Sequence, residues 1–372
     1  MNSTPEMSSG AQVLLVTPMQ KQVKQILVVR FSSLGDVVLT TPVLGALKAK
    51  FPRSRIFFLT KAQYADLVRN DPRISHLIEF DPERQHKGLT GLMNLISQLR
   101  RYEFDLLIDL HANLRSFLVR RLVKSKGKLK YDKRWLSRFL MVHLKFLKTE
   151  AVHTVDSYLE ALGKIPVEVD DKNPTLFLGQ DDGKFAEHFL LERNVEKHDI
   201  VVGLHPGARW ETKRWDEARF AQACRTLIER LNCKVLLFGD SSEEKLVEDI
   251  QKELPKAKVL KVVGLSLGAL MALIQRCACL VTNDSGPMHI ASALSVPVVA
   301  IFGPTHPRLG FAPLGSKGVM LCADVECSPC SLHGEKSCRK KAKPCMDLIQ
   351  PEMVVEAVKT VLEEKESLPK GT

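Results

Sequence analysis

Aromatic residues are scarce in this chain, at 6% of 372 residues. That leaves few rings on which nucleic-acid bases could stack, and no nucleic-acid-binding motif occurs. Long apolar runs are absent as well: none approaches the roughly 20 residues that a membrane-spanning helix needs. The N-terminal stretch carries only the short patch Val13-Leu14-Leu15-Val16, closed by Pro18. It has neither the extended apolar core nor the small-residue cleavage site of a secretion signal. A cytoplasmic protein with a disordered leader over residues 1–23 is therefore expected. Two phosphate-binding signatures are also missing. The loop after the first apolar run lacks G-x-G-x-x-G, and G-x-x-x-x-G-K-[ST] does not occur.

What is present bounds the remaining classes. The length suits two α/β domains better than one core. Hydrophobic residues at 45% and charged residues at 26% are ordinary for a soluble globular protein. The net charge of +11 points to acidic partners: nucleic acid, a membrane surface or a phosphorylated substrate.

The apolar pattern is that of doubly wound sheets. Ile26–Val29, Arg55–Leu59 and Phe104–Leu110 read as strands buried on both faces. A helical stretch runs to Lys50, restarting with Thr41 as cap and Pro42 at the first helical position. Another spans Gly91–Tyr102. The order argues for a parallel sheet with helical crossovers. Pro166–Gln180 has no sustained helical period and reads as an interdomain connection. A second series follows. Strands are expected at Ile200–Leu204, Lys234–Phe238, Cys279–Thr282 and Val298–Phe302. Helices are expected at Asp216–Leu231, Ser242–Leu254, Leu267–Arg276 and Glu352–Glu364.

In such folds ligands sit at the carboxyl ends of strands, and four strand-end loops carry unusual residues. In His205-Pro206-Gly207-Ala208, continuing to Lys213-Arg214, Gly207 permits close backbone approach and the cations suit a diphosphate. A solvated basic turn has the same composition. In Gly239-Asp240-Ser241-Ser242-Glu243, an acid could accept from ribose hydroxyls. Helix capping by Asp240 or Ser242, with Glu243 complementing the dipole, explains it equally well. Asn283-Asp284-Ser285-Gly286-Pro287-Met288-His289 reads as strand, sharp turn and helix start, whose free N–H groups favour an anion. Asp284 would repel a bare phosphate, so it is expected to accept from sugar hydroxyls or turn N–H groups. Asp36, ending the loop after the first strand, points into the cleft. It can act as a general base, as the cap of the helix it begins, or both.

Three of these segments together resemble the lipopolysaccharide heptosyltransferases: Ser32-Ser33-Leu34-Gly35-Asp36, His205-Pro206-Gly207-Ala208 with Lys213-Arg214-Trp215, and Asn283 to His289. The resemblance runs from about Ile26 to the final helix. It implies an α/β GT-B fold, two Rossmann-like doubly wound domains facing across a cleft. Residues 24–175 would bind the acceptor, 176–350 would bind ADP-heptose, and a closing helix in 351–372 would return towards the N-terminal domain. It implies inverting transfer of heptose from ADP-heptose to the inner core of lipopolysaccharide. Asp36 would be the base and Lys213 would hold the diphosphate and steady the departing ADP. Gly207, Ala208, Asp284, Ser285, Gly286 and His289 would line the donor, with Glu243 at its ribose. Asp109 to Ser116 resembles the acceptor-side strand end, with Arg115 and Arg120 for acceptor anions.

The partners implied are ADP-heptose and a lipid A–core oligosaccharide, at the cytoplasmic face of the inner membrane. Arg120 to Lys148 holds eleven Lys or Arg and one acid, Asp132, interleaved with Trp135, Phe139, Leu140, Leu144 and Phe146. It could lie against that surface or form a solvated basic helix pair. No cofactor is expected to be required. Cys327-Ser328-Pro329-Cys330, within the group Cys322 to Cys345, has zinc-ligand spacing, and a structural zinc is the alternative there. Cys224, Cys233, Cys277 and Cys279 read as buried small hydrophobes. Two other readings stay open: a related GT-B transferase with a different donor or acceptor, and a basic nucleic-acid-binding protein without enzymatic activity.

Overall fold

The computed structural model describes residues 23–143, 151–163, 165, 171–315, 318–334, 337, 338, 340 and 342–366. Among these, two parallel sheets form the frame. The first contains β1 (Gln25–Val29), β2 (Arg55–Lys61), β3 (His76–Phe80), β4 (Phe104–Asp109) and β5 (Ser125–Lys130), in the order β3-β2-β1-β4-β5. The second contains β6 (Val201–His205), β7 (Lys234–Gly239), β8 (Val259–Val263), β9 (Cys279–Asn283), β10 (Val298–Phe302) and β11 (Gly318–Cys322), in the order β11-β10-β9-β6-β7-β8. The helices of the first half are α1 (Leu34–Val38), α2 (Thr41–Lys50), α3 (Gly88–Leu99), α4 (Leu114–Leu122), α5 (Trp135–His143) and α6 (Thr154–Glu160). Then come α7 (Gln180–Leu191), α8 (Glu217–Leu231), α9 (Glu244–Lys252), α10 (Leu267–Gln275), α11 (Gly286–Ala293), α12 (Pro344–Asp347) and α13 (Pro351–Glu366). This is the expected pair of Rossmann-like units.

The strands form where both faces can be covered. In β1, Ile26 and Val28 join the layer that includes Val37, Val43 and Leu47, while Leu27 and Val29 join the layer of Leu92, Leu95 and Val119. Alternate residues thus serve opposite faces, and no polar face is left over. Strand order reverses between β1 and β4, and again between β6 and β9, so each sheet has a switch point with a crevice at its carboxyl edge.

The two halves are packed together. One continuous core cluster holds Ile26 and Val28 of the first sheet and Leu236 and Phe238 of the second. At the join α1 meets α11 through two glycines. A Cβ on Gly35 would lie 2.5 Å from His289 Cδ2, and one on Gly286 would lie 2.7 Å from Leu34 Cδ2. Residues 151–154 also strap the halves. Ala151 N donates to Arg308 O (2.8 Å) and Thr154 N to Gly310 O (2.9 Å).

Several elements depart from expectation. Thr41 is helical and Thr40 precedes α2, so Pro42 stands at the second helical position. The cationic stretch contains β5, an edge strand in which Lys126, Lys128 and Lys130 face outward, a pattern that discourages edge-to-edge pairing. Leu144 and Phe146 of that stretch lie outside the described residues. So do residues 1–22 of the leader and 166–170 of the connection. Residues 171–179 carry no helix or strand and touch both halves: Thr175 N donates to Thr41 Oγ1 (3.0 Å), Leu176 N to Ala293 O (3.3 Å). Among the described residues, the closing helix α13 packs on the second half. Val354, Val355, Val358 and Val361 bury it against α8 and the second sheet, because its apolar stripe matches the one exposed there.

The glycine join makes a direct prediction. Gly35→Ala drives a methyl into the buried His289 ring and should cost about 1–3 kcal/mol, as overpacking does. Denaturant unfolding checks this; an unchanged midpoint would show that the halves do not depend on this contact.

Candidate active site

The carboxyl end of β1 sets up the first cluster. The chain leaves the buried strand at Arg30 and turns through Ser33 into α1, putting Asp36 in the first helical turn. Asp36 reaches back to its own cap: Ser33 N (3.0 Å) and Ser33 Oγ (2.7 Å) both donate to Oδ2. The capping role foreseen for Asp36 is therefore real. Arg30 Nη2 lies 2.7 Å from the same oxygen, and Arg30 Nη1 donates to Leu110 O at 2.6 Å. Tyr158, from α6, donates its hydroxyl to Asp36 Oδ1 at 3.2 Å. Burial alone would push the Asp36 carboxyl up. The Arg30 guanidinium and the Ser33 hydrogen bonds outweigh it and hold the group well below the usual carboxylate range. Asp36 is thus a fixed carboxylate. Arg30 and Tyr158 were absent from the sequence reading. A lone cation directly after a fully buried strand was a usable signal for Arg30; nothing local marked Tyr158.

At the end of β4, the fully buried Asp109 organises the next loop. Its Oδ1 accepts from His111 N (3.0 Å) and Ala112 N (2.8 Å), its Oδ2 from Ser116 Oγ (3.0 Å). Arg120 Nε lies 3.4 Å from Asp109 Oδ2, so this candidate acceptor residue is paired from within. Arg115 stands exposed in the first turn of α4.

The second half builds its cluster on the switch point between β6 and β9. Asn283, fully buried, is a strut. It donates from Nδ2 to Pro206 O (2.7 Å) and accepts at Oδ1 from Trp215 N (3.1 Å). The Gly207 loop is thereby tied to the Asp284 turn. Gly207 is bare for a reason: a Cβ there would sit 2.0 Å from Glu243 Oε1. Glu243 is buried over that glycine, 3.5 Å from His205 Nε2, and accepts from Asp240 N in a capping box. Capping and nearness to the Gly207 loop thus coincide at Glu243. Ala208 is buried beside it.

Lys213 extends to Asp284, Nζ to Oδ2 2.6 Å, and Thr305 Oγ1 donates to the same oxygen at 2.6 Å. This pairing is why an acid is tolerated beside a helix start, where free N–H groups favour an anion. Ser285 shares a hydrogen bond with Thr282, Oγ to Oγ1 3.1 Å. Gly286 opens α11, and His289 sits one turn in, buried against Gly35. Burial holds His289 down at about 4, against the pull of Asp284 and Asp36. It is a neutral ring lying between the carboxylates of Asp284 and Asp36. The structure therefore brings Asp36, Lys213, Asp284, Gly286 and His289 to one place. Gly207 and Glu243 lie along the same sheet edge, and Arg115 lies apart.

The cysteine-bearing segment contributes to this wall. Ser328 Oγ donates to Gly303 O (2.8 Å), and Cys330 N to Pro304 O (2.9 Å). Gly334, with φ of +88°, leaves room for Lys213: a Cβ would lie 2.6 Å from its Cγ. Among the described residues no three His, Cys, Asp or Glu side chains are grouped to hold a metal ion. Cys224, Cys233, Cys277 and Cys279 are buried thiols, as expected. No helix among the described residues is long and apolar enough to cross a membrane.

Comparison with known proteins adds the following. Residues 92–341 match the model of glycosyltransferase family 9 (heptosyltransferase). Lipooligosaccharide heptosyltransferase 2 of Campylobacter jejuni is 27% identical over 333 residues, covering 88% of this chain and 95% of that one. A family 9 glycosyl transferase structure from Veillonella parvula superposes with a TM-score of 0.78 at 26% identity, over 93% of this chain and 99% of that one. The E. coli ADP-heptose lipopolysaccharide heptosyltransferase II structure shares the fold, with a TM-score of 0.70 at 21% identity over 92% and 100% of the two chains.

The neutral buried histidine has a consequence for stability. In the unfolded chain the His289 ring returns to its ordinary value of 6.5, far above the folded one of about 4. Between those values the unfolded chain binds more protons, so His289 makes stability fall as the pH drops through that window. The unfolding midpoint of His289→Gln should therefore drop less from about pH 7 to about pH 5 than that of the native chain. Equal drops would show that His289 is not held neutral.

Proposed function

The chain belongs to glycosyltransferase family 9, the heptosyltransferases, and we propose that it moves heptose from ADP-heptose to the inner core of lipopolysaccharide with inversion. The enzyme class follows from the family; the donor, the acceptor and the residue roles are our reading. The observation that carries it is the meeting of a fixed carboxylate, Asp36, with Lys213, Asp284 and His289 where the two switch points face each other.

In this reading the acceptor hydroxyl lies between Asp36 and the anomeric carbon. Its proton passes to Asp36 as its oxygen bonds to that carbon, and the carbon–phosphate oxygen bond breaks towards ADP. One displacement inverts the centre. A carboxylate that accepts the proton only as the bond forms needs no elevated pKa. The departing diphosphate meets Lys213 and the free N–H groups at Ser285 and Gly286, which stabilise the charge that develops there. Lys213 turns from Asp284 towards the diphosphate, and Asp284 then accepts from heptose hydroxyls. His289 contributes a neutral polar edge. The backbone at Gly207 and Ala208 approaches the nucleotide, and Glu243 accepts from the ribose. Lys213 and the helix end supply the positive charge, so the reaction is read as cofactor-independent.

Arg115 and Arg120 serve anionic groups of the lipid A–core acceptor. Leu114 and Phe117 are exposed on the same helix. With Arg115, Arg121 and Lys124 they suit a peripheral contact with the anionic cytoplasmic face of the inner membrane.

Asp36→Asn keeps the shape and removes the base. Its kcat should fall about 10²–10⁴-fold, the usual worth of general base catalysis, while ADP binds as tightly as before. Turnover with ADP-heptose and a truncated lipopolysaccharide-core acceptor, alongside calorimetric titration of ADP, tests both halves. Normal turnover would dismiss Asp36 as the base.

A further inference from the structure

The carboxylate of Asp36 is held unequally. Oδ2 takes Ser33 N, Ser33 Oγ and Arg30 Nη2, at 3.0, 2.7 and 2.7 Å. Oδ1 takes Tyr158 alone, at 3.2 Å, among the described residues. A carboxylate oxygen has two lone-pair sites, so Oδ2 is saturated and Oδ1 has room for one further donor. Arg30 is in turn immobile. It is buried, its Nη1 is fastened to Leu110 O at the end of β4, and its guanidinium lies 5.3 Å from the centre of the Tyr158 ring. Tyr158 is buried too, its ring edge-on to Tyr131 with centroids 4.7 Å apart.

We propose that Arg30 and Tyr158 are positioning residues that clamp Asp36 so that Oδ1, and not Oδ2, takes the proton of the acceptor hydroxyl. The inference rests on Asp36 being the base. In the step, the acceptor O–H bond breaks and its proton goes to Oδ1 while the new carbon–oxygen bond forms. The electron pair of the broken carbon–oxygen bond leaves with ADP. Arg30 keeps Oδ2 turned away and the carboxylate ionised until that moment. After transfer it stands beside a neutral acid, an arrangement that favours passing the proton on to water. Basicity is given up for position, because a two-pronged guanidinium fixes a carboxylate where an ammonium only attracts it.

Other titratable groups among the described residues also face Asp36. Tyr131 and Lys133 approach from the chain after β5, His111 from the loop after β4, and His289 from α11. Lys133 is the remaining cation among them. It is more exposed than Arg30, so it does not replace the buried guanidinium.

The test uses the full chain with ADP-heptose and a truncated lipopolysaccharide-core acceptor, reading kcat across pH for Arg30→Met, Arg30→Lys and Tyr158→Phe. In Arg30→Met the acid limb of activity should move up by about one to three on the pH scale, the worth of a neighbouring opposite charge. Its kcat should also fall, with KM for ADP-heptose little changed. Tyr158→Phe should move the limb in the same direction by less. Arg30→Lys restores charge without the second prong, so its limb should return towards the native one while kcat stays low. Limbs coincident with the native one in all three variants would overturn the clamp, as would full recovery of kcat by lysine. If Arg30→Met no longer binds ADP because it fails to fold, the lysine and phenylalanine variants decide alone. Native-like variants beside an inactive Asp36→Asn remove only the clamp; an active Asp36→Asn removes the base itself.

Discussion

A buried guanidinium locked to a half-buried carboxylate constrains everything around it. Taking a guanidinium alone out of water costs several kcal/mol, so the buried Arg30 needs a partner. Asp36 and Arg30 therefore stand or fall as a unit, 2.7 Å apart at the end of β1. Because Arg30 also holds the Leu110 carbonyl, the pair ties the two strands that flank the first switch point. The loop that carries Asp36 is in this way fastened to the sheet beneath it.

The second half repeats the strategy with different chemistry. Asn283 bonds the Gly207 loop to its own turn, and the Lys213–Asp284–Thr305 group ties three separate loops. Buried polar groups that are fully paired specify one arrangement, and partly paired ones do not. The satisfied struts lie behind the site. Among the described residues, the buried ring nitrogens His111 Nδ1, His205 Nδ1 and His289 Nδ1 have no hydrogen-bond partner. Rigidity from the struts beside unspent hydrogen-bonding capacity suits a ligand site built on strand ends.

Much of this was legible in the sequence, for a physical reason. Strands covered on both faces must be apolar throughout, so Ile26–Val29, Lys234–Phe238 and Val298–Phe302 announce themselves. The loops that follow them stand out because polar and glycine residues sit where the sheet ends. Edge strands are harder: β5, with its outward lysines, reads as a charged run. The closing helix shows its apolar stripe but not which half it covers. Tyr158 was invisible because its bond to Asp36 joins residues 122 apart in the chain, whereas Arg30 carried a local signal as the cation directly after a buried strand. Asp284 was legible as an anomaly beside an anion site, and the Lys213 pair resolves it.

In the proposed reaction a fixed carboxylate at the end of β1 directs a single displacement at the anomeric carbon. The anomeric configuration of the transferred sugar, read by nuclear magnetic resonance of the product formed from a donor of known configuration, tests it most directly. Inversion is the expected result. Retention would require a covalent intermediate or a same-face departure, and would contradict the role given to Asp36.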